Sequence, residues 1–355
     1  MNKKVLVAMS GGVDSAVAAL LIKEKGYTLG GITMKVWSDN EALHDDTTLS
    51  PDVNCTDAKN IADALGIPHH ISSYGDSFRK HVVDKFLSEY KSGNTPNPCV
   101  ECNRYIKFGK LFESTKILGY DALATGHYAR ITADSSGAYR LQKAADTNKD
   151  QTYFLWSIKK ELLPHILFPL GEYTKAEIRE IAAKNNFSNA HRSDSQDICF
   201  IANGDYATFI KQQCGDNFPV GNFIDVDGNI IGKHTGIINY TIGQRKGLGV
   251  SFGKPMFVGV KNAVDNTVTL CTDEQLYSDT LIAHSINSLV DGAFDTPTRL
   301  QAKIRYRHTP AVATVTRIDE DRLQVKFDLP QRAISPGQSA VFYDGDTVVG
   351  GGIIQ

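Results

Sequence analysis

The sequence lacks any long hydrophobic run, and this absence limits what kind of protein it can be. In its 355 residues there is no stretch of about 20 consecutive apolar residues, so it contains no candidate membrane-spanning helix. The apolar run VLVAM near the start is too short for the hydrophobic core of a signal peptide. We therefore expect a cytoplasmic protein with no membrane partner.

The sequence also has no excess of charge of either sign and little cysteine. Its formal net charge is −2, which neither requires nor excludes a nucleic-acid partner. We expect its six cysteines to be reduced, which leaves packing, metal binding and redox chemistry as their uses. The length favours two or three domains.

The order of predicted elements indicates an α/β domain followed by β-rich domains. In residues 1–130 short apolar strands alternate with helices, which is typical of a doubly wound parallel sheet. From about residue 280 strand follows strand, which predicts a small antiparallel β-barrel. We predict a nucleotide-binding domain over 1–205, a central mainly-β domain over 206–275 and a barrel domain over 276–355.

A pair of glycines lies between the first predicted strand and helix. The stretch SGGVDS, residues 10–15, places backbone N–H groups at a helix N-terminus, and glycine lets an anion approach them. The stretch lacks the lysine of a Walker P-loop. Asp14 would repel phosphate unless it holds Mg²⁺. A tight turn with a serine N-cap is the structural alternative, but six residues in this setting favour an anion site.

This stretch and several longer motifs resemble those of a known family. SGGVDSAVAALL is similar to the PP-loop of the ATP pyrophosphatases, and the other motifs point to the tRNA-specific 2-thiouridylases. These motifs cover the whole chain: NTPNPCVECNRYIKFG (94–109), ATGHYAR (124–130), KDQTYFL (149–155), FPLGEYTKAEIREIA (168–182), SQDICFI (195–201), GKHTGIINYTIGQRKGLG (232–249), KIRYRH (303–308) and SPGQSAVFY (335–343). The resemblance implies an ATP-dependent sulfurtransferase that makes 2-thiouridine at the wobble uridine of tRNA.

The resemblance also implies the residues that carry out this chemistry. The implied ATP site consists of Ala8, Met9, Ser10, Gly11, Gly12, Val13, Asp14, Ser15, Met34 and Gly126, with Asp14 as a Mg²⁺ ligand. The implied tRNA contacts are Asn97, Pro98 and Cys99 at the target base, and His127, Lys149, Asp150, Gln151, Arg305, Tyr306 and Gln338 elsewhere. The expected substrates are tRNAs for Lys, Glu and Gln.

Cys102 and Cys199 are the implied sulfur-handling residues. Cys199 would carry a persulfide from a sulfur-donor protein, either a cysteine desulfurase or a sulfur-relay protein. Cys102 would be the nucleophile that forms a transient disulfide with Cys199. Because thiolates are the reacting forms, we expect lowered thiol pKa values, with Lys107 or Arg104 as the stabilising cations.

Cys99 leaves the sulfur mechanism open. The stretch NTPNPCVECN has two prolines and two asparagines, which predicts a rigid loop. Within it Cys99 and Cys102 form a C-x-x-C pair, and the absence of a second such pair argues against zinc. One branch of the family has aspartate at the position of Cys99, and a third cysteine allows a [4Fe–4S] cluster on Cys99, Cys102 and Cys199. The cluster and persulfide mechanisms both stay open.

A basic stretch late in the chain supports RNA binding. On a regular strand Lys303, Arg305 and Arg307 share one face and Tyr306 lies on the other, which predicts a basic ribbon suited to phosphates. A solvated strand face is the structural alternative.

Two other functions stay open. One is another adenylating PP-loop enzyme of amidotransferase type, although no glutaminase domain is visible. The other is a non-enzymatic iron–sulfur or RNA-binding protein. Asp194 and Asp197, close to Cys199, are expected to be turn caps.

Overall fold

The chain folds into two compact units in a computed structural model that describes residues 3–36, 51–187, 189, 198–201, 204–215, 218–249 and 253–355. The first unit comprises 1–82, 99–196 and 345–348, and the second comprises 83–98, 197–344 and 349–355. No helix within the described ranges has the length and apolarity needed to cross a membrane.

A parallel sheet forms the core of the first unit. The strands of this unit are β1 (Lys4–Ala8), β2 (Thr28–Lys35), β3 (His69–Ser73), β4 (Ala122–Ala124), β5 (Arg130–Ala133), β6 (Tyr139–Gln142) and β7 (Ile166–Leu167). The sheet has the order β3-β2-β1-β4-β7, so the chain extends it in both directions from the first strand. This order confirms the predicted doubly wound fold. Strands β5 and β6 form a separate antiparallel hairpin, and Thr347 pairs with Gln142 at its edge.

The helices described in the first unit are α1 (Val13–Glu24), α2 (Pro51–Leu65), α3 (Gly75–Phe78), α6 (Leu111–Ile117), α7 (Thr152–Leu155) and α8 (Lys175–Lys184). Of these, α1, α2 and α6 pack against strands of the parallel sheet. Helix α4 (Asp84–Lys91) belongs to the second unit, and α5 (Pro98–Glu101) lies at the boundary in the sequence. A 3₁₀ segment spans Lys160–His165. Helix α1 is buried on two sides, because Ala16 and Ala19 pack with residues of the sheet while Val17 and Leu21 pack with Ile178 of α8.

Two π-helical segments interrupt the helices. The amphipathic pattern of SFRKHVVDKFLSEYKSG, residues 77–93, predicts a single helix, but a π-helix at Arg79–Val83 divides this stretch. The C-x-x-C motif was predicted to lie in a rigid loop, and this is wrong: α5 begins at Pro98 and continues into a π-helix over Cys102–Lys110. Proline is favoured at the first position of a helix, where its missing N–H is not needed, and this explains the start at Pro98. π-Helices often occur at functional sites.

The second unit contains a small mixed sheet and a closed barrel. The sheet has the order β10-β11-β8-β9, and the barrel has the order β12-β15-β14-β13-β16-β17 with β12 paired to β17. The sheet strands are β8 (Gly221–Ile224), β9 (Ile230–His234), β10 (Phe257–Asn262) and β11 (Thr267–Cys271). The barrel strands are β12 (Tyr277–Ser288), β13 (Thr298–Lys303), β14 (Ala311–Arg317), β15 (Leu323–Arg332), β16 (Ser339–Asp344) and β17 (Thr347–Ile354), of which the first two residues of β17 are assigned to the first unit. Helix α9 (Tyr206–Cys214) and 3₁₀ segments at Ile237–Asn239 and Glu274–Leu276 complete the unit. The closed barrel confirms the predicted C-terminal β-barrel.

Candidate active site

The SGGVDS stretch forms a turn between β1 and α1, as predicted. Gly11 has a φ of 74°, a conformation that favours glycine. The Ser10 backbone N–H donates to Ser15 Oγ at 3.1 Å, and the Ser15 hydroxyl donates to the Gly12 carbonyl at 3.0 Å. The N-cap is Gly12, and within the described residues no side chain caps α1, which rules out the serine-cap alternative. The N-terminus of α1 thus keeps the geometry of an anion site.

Of the other residues predicted to bind ATP, Gly126 lies against this turn and Met34 lies on the neighbouring strand β2. A methyl group added to Gly126 would be 2.9 Å from the Asp14 carbonyl carbon and 3.0 Å from the Ser15 nitrogen, so only glycine fits there. The Met9 N–H donates to the Ile32 carbonyl at 2.8 Å, which aligns the end of β1 with the part of β2 that carries Met34. The carboxyl edge of the sheet therefore brings together the residues predicted to bind ATP.

Asn189 and Lys175 also reach the turn, and sequence reasoning missed both of them. The Asn189 amide donates to the Gly11 carbonyl at 2.7 Å and is buried. Lys175 Nζ donates to Asp14 Oδ1 at 2.7 Å, and the Tyr128 hydroxyl donates to the same oxygen at 2.8 Å. Lys175 is separated from Asp14 by 161 positions in the chain, so no local pattern links them. Its only sequence signal was its place in the motif at 168–182.

The residues of the turn fit a magnesium-bound triphosphate. Backbone N–H groups at a helix N-terminus and the hydroxyls of Ser10 and Ser15 are donors suited to phosphate oxygens. The Asp14 carboxylate is the type of ligand that Mg²⁺ prefers. The assignment of Asp14 to Mg²⁺ stays a prediction.

Cys102 begins the π-helix of the first unit, and its neighbour Asn103 fixes the segment. Asn103 is 2% exposed, and its amide donates to the Phe154 carbonyl at 2.9 Å. Cys102 is half-buried and Cys99 is exposed, yet enough protein surrounds both sulfurs to raise their pKa values. Burial raises the pKa of Cys102 to about 11, and the opposing charge of Lys107 has a smaller effect. The expected lowering of the Cys102 thiol pKa is therefore wrong in this structure, and the same expectation for Cys199 stays a prediction.

Lys107 lies against His127, which is buried between aromatic rings. Lys107 Nζ is 3.2 Å from His127 Nε2, and His127 Nδ1 is 2.7 Å from the Thr125 hydroxyl. Phe108 and Phe168 flank the imidazole. Burial, and then the charge of Lys107, lower the pKa of His127 well below its usual value. The neutral imidazole accepts from the ammonium at Nε2 and donates from Nδ1. Its predicted contact with tRNA stays a prediction.

Cys199 lies in the second unit, in a turn that is anchored by an aromatic cluster. Its residue is exposed. The next residue, Phe200, packs edge-on against Phe86 with ring centroids 5.5 Å apart and lies 5.4 Å from Phe209. Asp194 and Asp197 lie outside the described residues.

The cysteines of the implied sulfur chemistry are divided between the two units. Cys99 and Cys102 belong to the first unit and Cys199 to the second, so the Cys102–Cys199 disulfide and the three-cysteine cluster stay predictions. In the ranges that the structure covers, no group of three or more His, Cys, Asp or Glu side chains is placed to hold a metal ion.

The segment around Thr95 in the second unit is held by Gln338, one of the predicted RNA-contacting residues. The Gln338 amide donates to the Thr95 carbonyl at 2.8 Å, and the Thr95 N–H donates to the Pro336 carbonyl at 2.8 Å. Asn97 and Pro98 follow closely in the chain. Gln338 therefore supports the segment that was predicted to contact the target base.

The basic ribbon ends earlier than predicted. Strand β13 stops at Lys303, and residues 304–307 form a bend and turn closed by a 3.0 Å hydrogen bond from the His308 N–H to the Arg305 carbonyl. Lys303 Nζ lies 5.4 Å from the centre of the Tyr306 ring, so these two side chains are neighbours rather than on opposite faces. The predicted strand alternation through Arg307 is wrong, and the turn brings Tyr306 to the side of Lys303.

The KDQ segment at 149–151 is built into the first unit. Asp150 is buried and accepts from the Thr152 hydroxyl at 2.6 Å and from the Ala144 N–H at 3.1 Å. Gln151 Oε1 accepts from the Tyr128 N–H at 2.9 Å. The carboxylate of Asp150 is thus occupied within the fold. The predicted tRNA contacts of this segment stay predictions.

A doubly wound parallel sheet, with an uncapped glycine turn after its first strand, defines the first unit as a nucleotide-binding domain of the PP-loop class. Three family models match the chain in succession: a tRNA methyl transferase HUP domain over 3–203, a tRNA methyl transferase PRC-barrel domain over 207–272 and an aminomethyltransferase beta-barrel domain over 278–354. The first model alone matches more than half of the 355 residues.

Curated relatives narrow this class to one family. The tRNA-specific 2-thiouridylase MnmA of Clostridioides difficile is 46% identical, with 100% of this chain and 99% of the relative covered. The proteins of the same name from Lachnoclostridium phytofermentans and Acetivibrio thermocellus are 44% and 45% identical, each with 99% of its own length covered. This chain belongs to the tRNA-specific 2-thiouridylase family.

Solved structures match at greater distance. A 4-thiouridine synthetase in complex with RNA and bound ATP aligns over 59% of this chain and 50% of its own, with 17% identity and a TM-score of 0.37. A likeness this remote carries no argument.

Proposed function

We propose that this protein is a tRNA-uridine 2-sulfurtransferase, which uses ATP to convert the wobble uridine of tRNA, position 34, to 2-thiouridine. The observation that carries the proposal is identity of 44–46% over essentially the full chain to relatives named as tRNA-specific 2-thiouridylases. The geometry of the glycine turn supports ATP as the second substrate and Mg²⁺ as its bound metal ion. Cytoplasmic tRNAs for Lys, Glu and Gln are the proposed substrates, and a cysteine desulfurase or sulfur-relay protein is the proposed donor.

ATP solves a chemical difficulty of the uridine C2 carbonyl, whose oxygen is a poor leaving group. Uridine O2 attacks the α-phosphorus of ATP, the bond from that phosphorus to the bridging oxygen breaks, and pyrophosphate leaves. The residues at 10–15 hold the phosphates, and Met34 and Gly126 border the adenine. The protein contributes position and electrostatic stabilisation to this step.

In the sulfur step the terminal sulfur of a Cys199 persulfide attacks C2. The Cys102 thiolate attacks Cys199 Sγ, the persulfide S–S bond breaks, and a Cys102–Cys199 disulfide forms. The C2–O bond then breaks, AMP leaves and 2-thiouridine remains. An external thiol supplies two electrons to reduce the disulfide. Because the pKa of Cys102 is raised to about 11, its proton must be removed before it attacks.

Cys99 supports a second mechanism. It precedes Cys102 by one turn on the same helical segment, which gives the first unit two thiols where one suffices for a disulfide. Together with Cys199 they are the proposed ligands of a [4Fe–4S] cluster, which supplies sulfide when bound. Purified protein with about four irons per chain and a brown colour would favour this mechanism over the persulfide.

The proposed tRNA contacts include residues of each unit. The target base is contacted by Asn97, Pro98 and Cys99, and the rest of the tRNA by His127, Lys149, Asp150, Gln151, Arg305, Tyr306 and Gln338. Because C2 is hard to reach in a stacked anticodon, the uridine is splayed out of the stack. The proposed domains are an ATP-binding domain at 1–205, a central domain at 206–275 and a tRNA-contacting barrel at 276–355.

The deciding experiment combines purified protein, unmodified tRNA, ATP, Mg²⁺ and a sulfide source, followed by nucleoside digestion and mass spectrometry. Wild-type protein should produce 2-thiouridine only when ATP is present. Cys199→Ala should make none, whereas Cys214→Ala, which alters a half-buried thiol of the same unit, should act like wild type. Absence of 2-thiouridine with wild-type protein, or normal activity of Cys199→Ala, would refute the proposal.

A further inference from the structure

The ion pair between Asp14 and Lys175 brings a positively charged side chain to the glycine turn, which has no lysine of its own. Lys175 Nζ lies 2.7 Å from Asp14 Oδ1 in the first turn of α1. The Lys175 side chain is 12% exposed and that of Asp14 is 33% exposed. A cation from another helix therefore stands at the N-terminus where a phosphate would bind.

The position of Lys175 is fixed by its own helix. Thr174 and Glu177 form a capping box at the start of α8. This capping box fixes the backbone of Lys175, which is the first residue of the helix. Helix α8 packs on α1 through the Ile178 and Val17 side chains. The reach of the ammonium to the turn is thus set by the fold of the first unit.

We propose that Lys175 is the polyphosphate-binding cation of this site, and that its ion pair with Asp14 separates when ATP and Mg²⁺ bind. The Lys175 ammonium then binds a phosphate oxygen, and the Asp14 carboxylate binds the metal. The inference rests on the proposed function in one respect, namely that the nucleotide is ATP.

Electrostatics favour this exchange of partners. An unpaired Asp14 at a helix N-terminus would repel a polyphosphate, and the Lys175 charge cancels that repulsion. Because Lys175 is largely shielded from water, its attraction for a phosphate is stronger than that of an exposed lysine. When Lys175 leaves, the Tyr128 hydroxyl still donates to Asp14 Oδ1 and holds the carboxylate in place.

Nucleotide binding alone tests the proposal, without tRNA or sulfur. Dissociation constants for ATP with Mg²⁺ and for AMP would be measured by calorimetry on wild type, Lys175→Met, Lys175→Arg and Lys184→Met. Lys175→Met should weaken ATP binding by about ten- to a hundredfold, the value of one charge-assisted hydrogen bond, and change AMP binding little. Lys175→Arg should lose less, and Lys184→Met, an exposed lysine at the other end of α8, should match wild type.

A further variant separates the two charges. In the absence of Mg²⁺, Asp14→Asn should bind ATP more tightly than wild type, because Lys175 is released and the repulsion is gone. Equal ATP affinity of Lys175→Met and wild type, or equal loss of ATP and AMP binding, would overturn the inference and leave the ion pair as a link between helices. Thermal unfolding of each variant checks that it is folded. If Lys175→Met does not fold, the ATP affinity of Asp14→Asn without Mg²⁺ tests the inference, and an affinity no tighter than that of wild type would overturn it. A protein that passes these tests but makes no 2-thiouridine would refute the proposed function alone.

Discussion

The two proposed sulfur-handling cysteines are each held by the residue that follows them, but by different forces. Asn103, after Cys102, is fixed by a hydrogen bond from its amide to the Phe154 carbonyl. Phe200, after Cys199, is fixed by packing against Phe86 and Phe209. A hydrogen bond has a strict geometry, whereas aromatic packing tolerates small displacements.

The difference suits the different tasks proposed for the two residues. Cys102 is half-buried and its surroundings raise its thiol pKa, so it stays protonated at neutral pH until a base removes the proton. Cys199 is exposed, as a residue must be if it receives sulfur from another protein. Burial keeps the Cys102 thiol protonated, whereas the packing of Phe200 holds Cys199 at an exposed position.

Removing the aromatic ring of Phe200 should have the largest effect on the free energy of unfolding. Phe200→Ala should lower the free energy of unfolding by about 2 kcal/mol, below the range for fully buried phenylalanines because Phe200 is half-buried. Urea unfolding would measure it, and Phe200→Leu should recover most of the loss. Unchanged stability in Phe200→Ala would show that packing does not anchor Cys199.

Removing the Asn103 amide should have the next largest effect on the free energy of unfolding. Asn103→Ala should cost about 1.5 kcal/mol, since the Phe154 carbonyl loses its donor in a largely buried setting. Asn185→Ala is the matched control, because its amide also donates to a backbone carbonyl at 2.9 Å but is exposed. That control should cost only a few tenths of a kcal/mol. Equal losses in the two variants would remove the case for a special role of Asn103.

Acid should weaken the first unit around His127. The pKa of folded His127 lies below 6.5, so below that pH the unfolded chain binds more protons, and stability falls as pH falls. The loss from this group should reach about 1 kcal/mol between pH 6.5 and 5.5. Unfolding measured against pH should show a shallower slope for His127→Gln. An identical slope would mean that His127 takes up no proton on unfolding.

The smallest effect should be that of replacing Lys107 on the reactivity of the Cys102 thiol. Its charge lowers the pKa of Cys102 against the stronger opposing effect of burial, so Lys107→Met should raise that pKa further. Alkylation of Cys102 by iodoacetamide at pH 8 should then slow by about two- to fivefold. Cys199, followed in the same digest by mass spectrometry, is the internal control. A faster reaction at Cys102 would contradict the assigned effect of the charge.

The sequence predicted the sheet and the barrel well because both depend on short-range patterns. The alternation of strand and helix, the SGGVDS turn and the run of late strands are all readable within a few residues. Lys175 could not be found in this way, because its contact with Asp14 exists only once α8 packs on α1.

The errors have physical causes of the same kind. The π-helix at Cys102–Lys110 has no sequence signature that separates it from an α-helix. The lowered pKa expected for the Cys102 thiol was inferred from nearby positive charge, and the structure adds a larger opposing effect of burial. Strand β13 ends at Lys303, earlier than the alternation predicted, because alternation of side chains alone does not mark where a strand stops.

Residues 345–348, near the end of the chain, belong to the unit that holds the glycine turn. There the Asp346 carboxylate accepts from Arg130 at 3.1 Å, and the Asp346 carbonyl accepts from the Lys143 N–H at 2.9 Å. Because 216 positions separate Arg130 from Asp346, the hairpin of β5 and β6 leaves the ribosome long before the residues that pair with its edge. We expect a nascent chain stalled before residue 345 to expose that edge to chaperones.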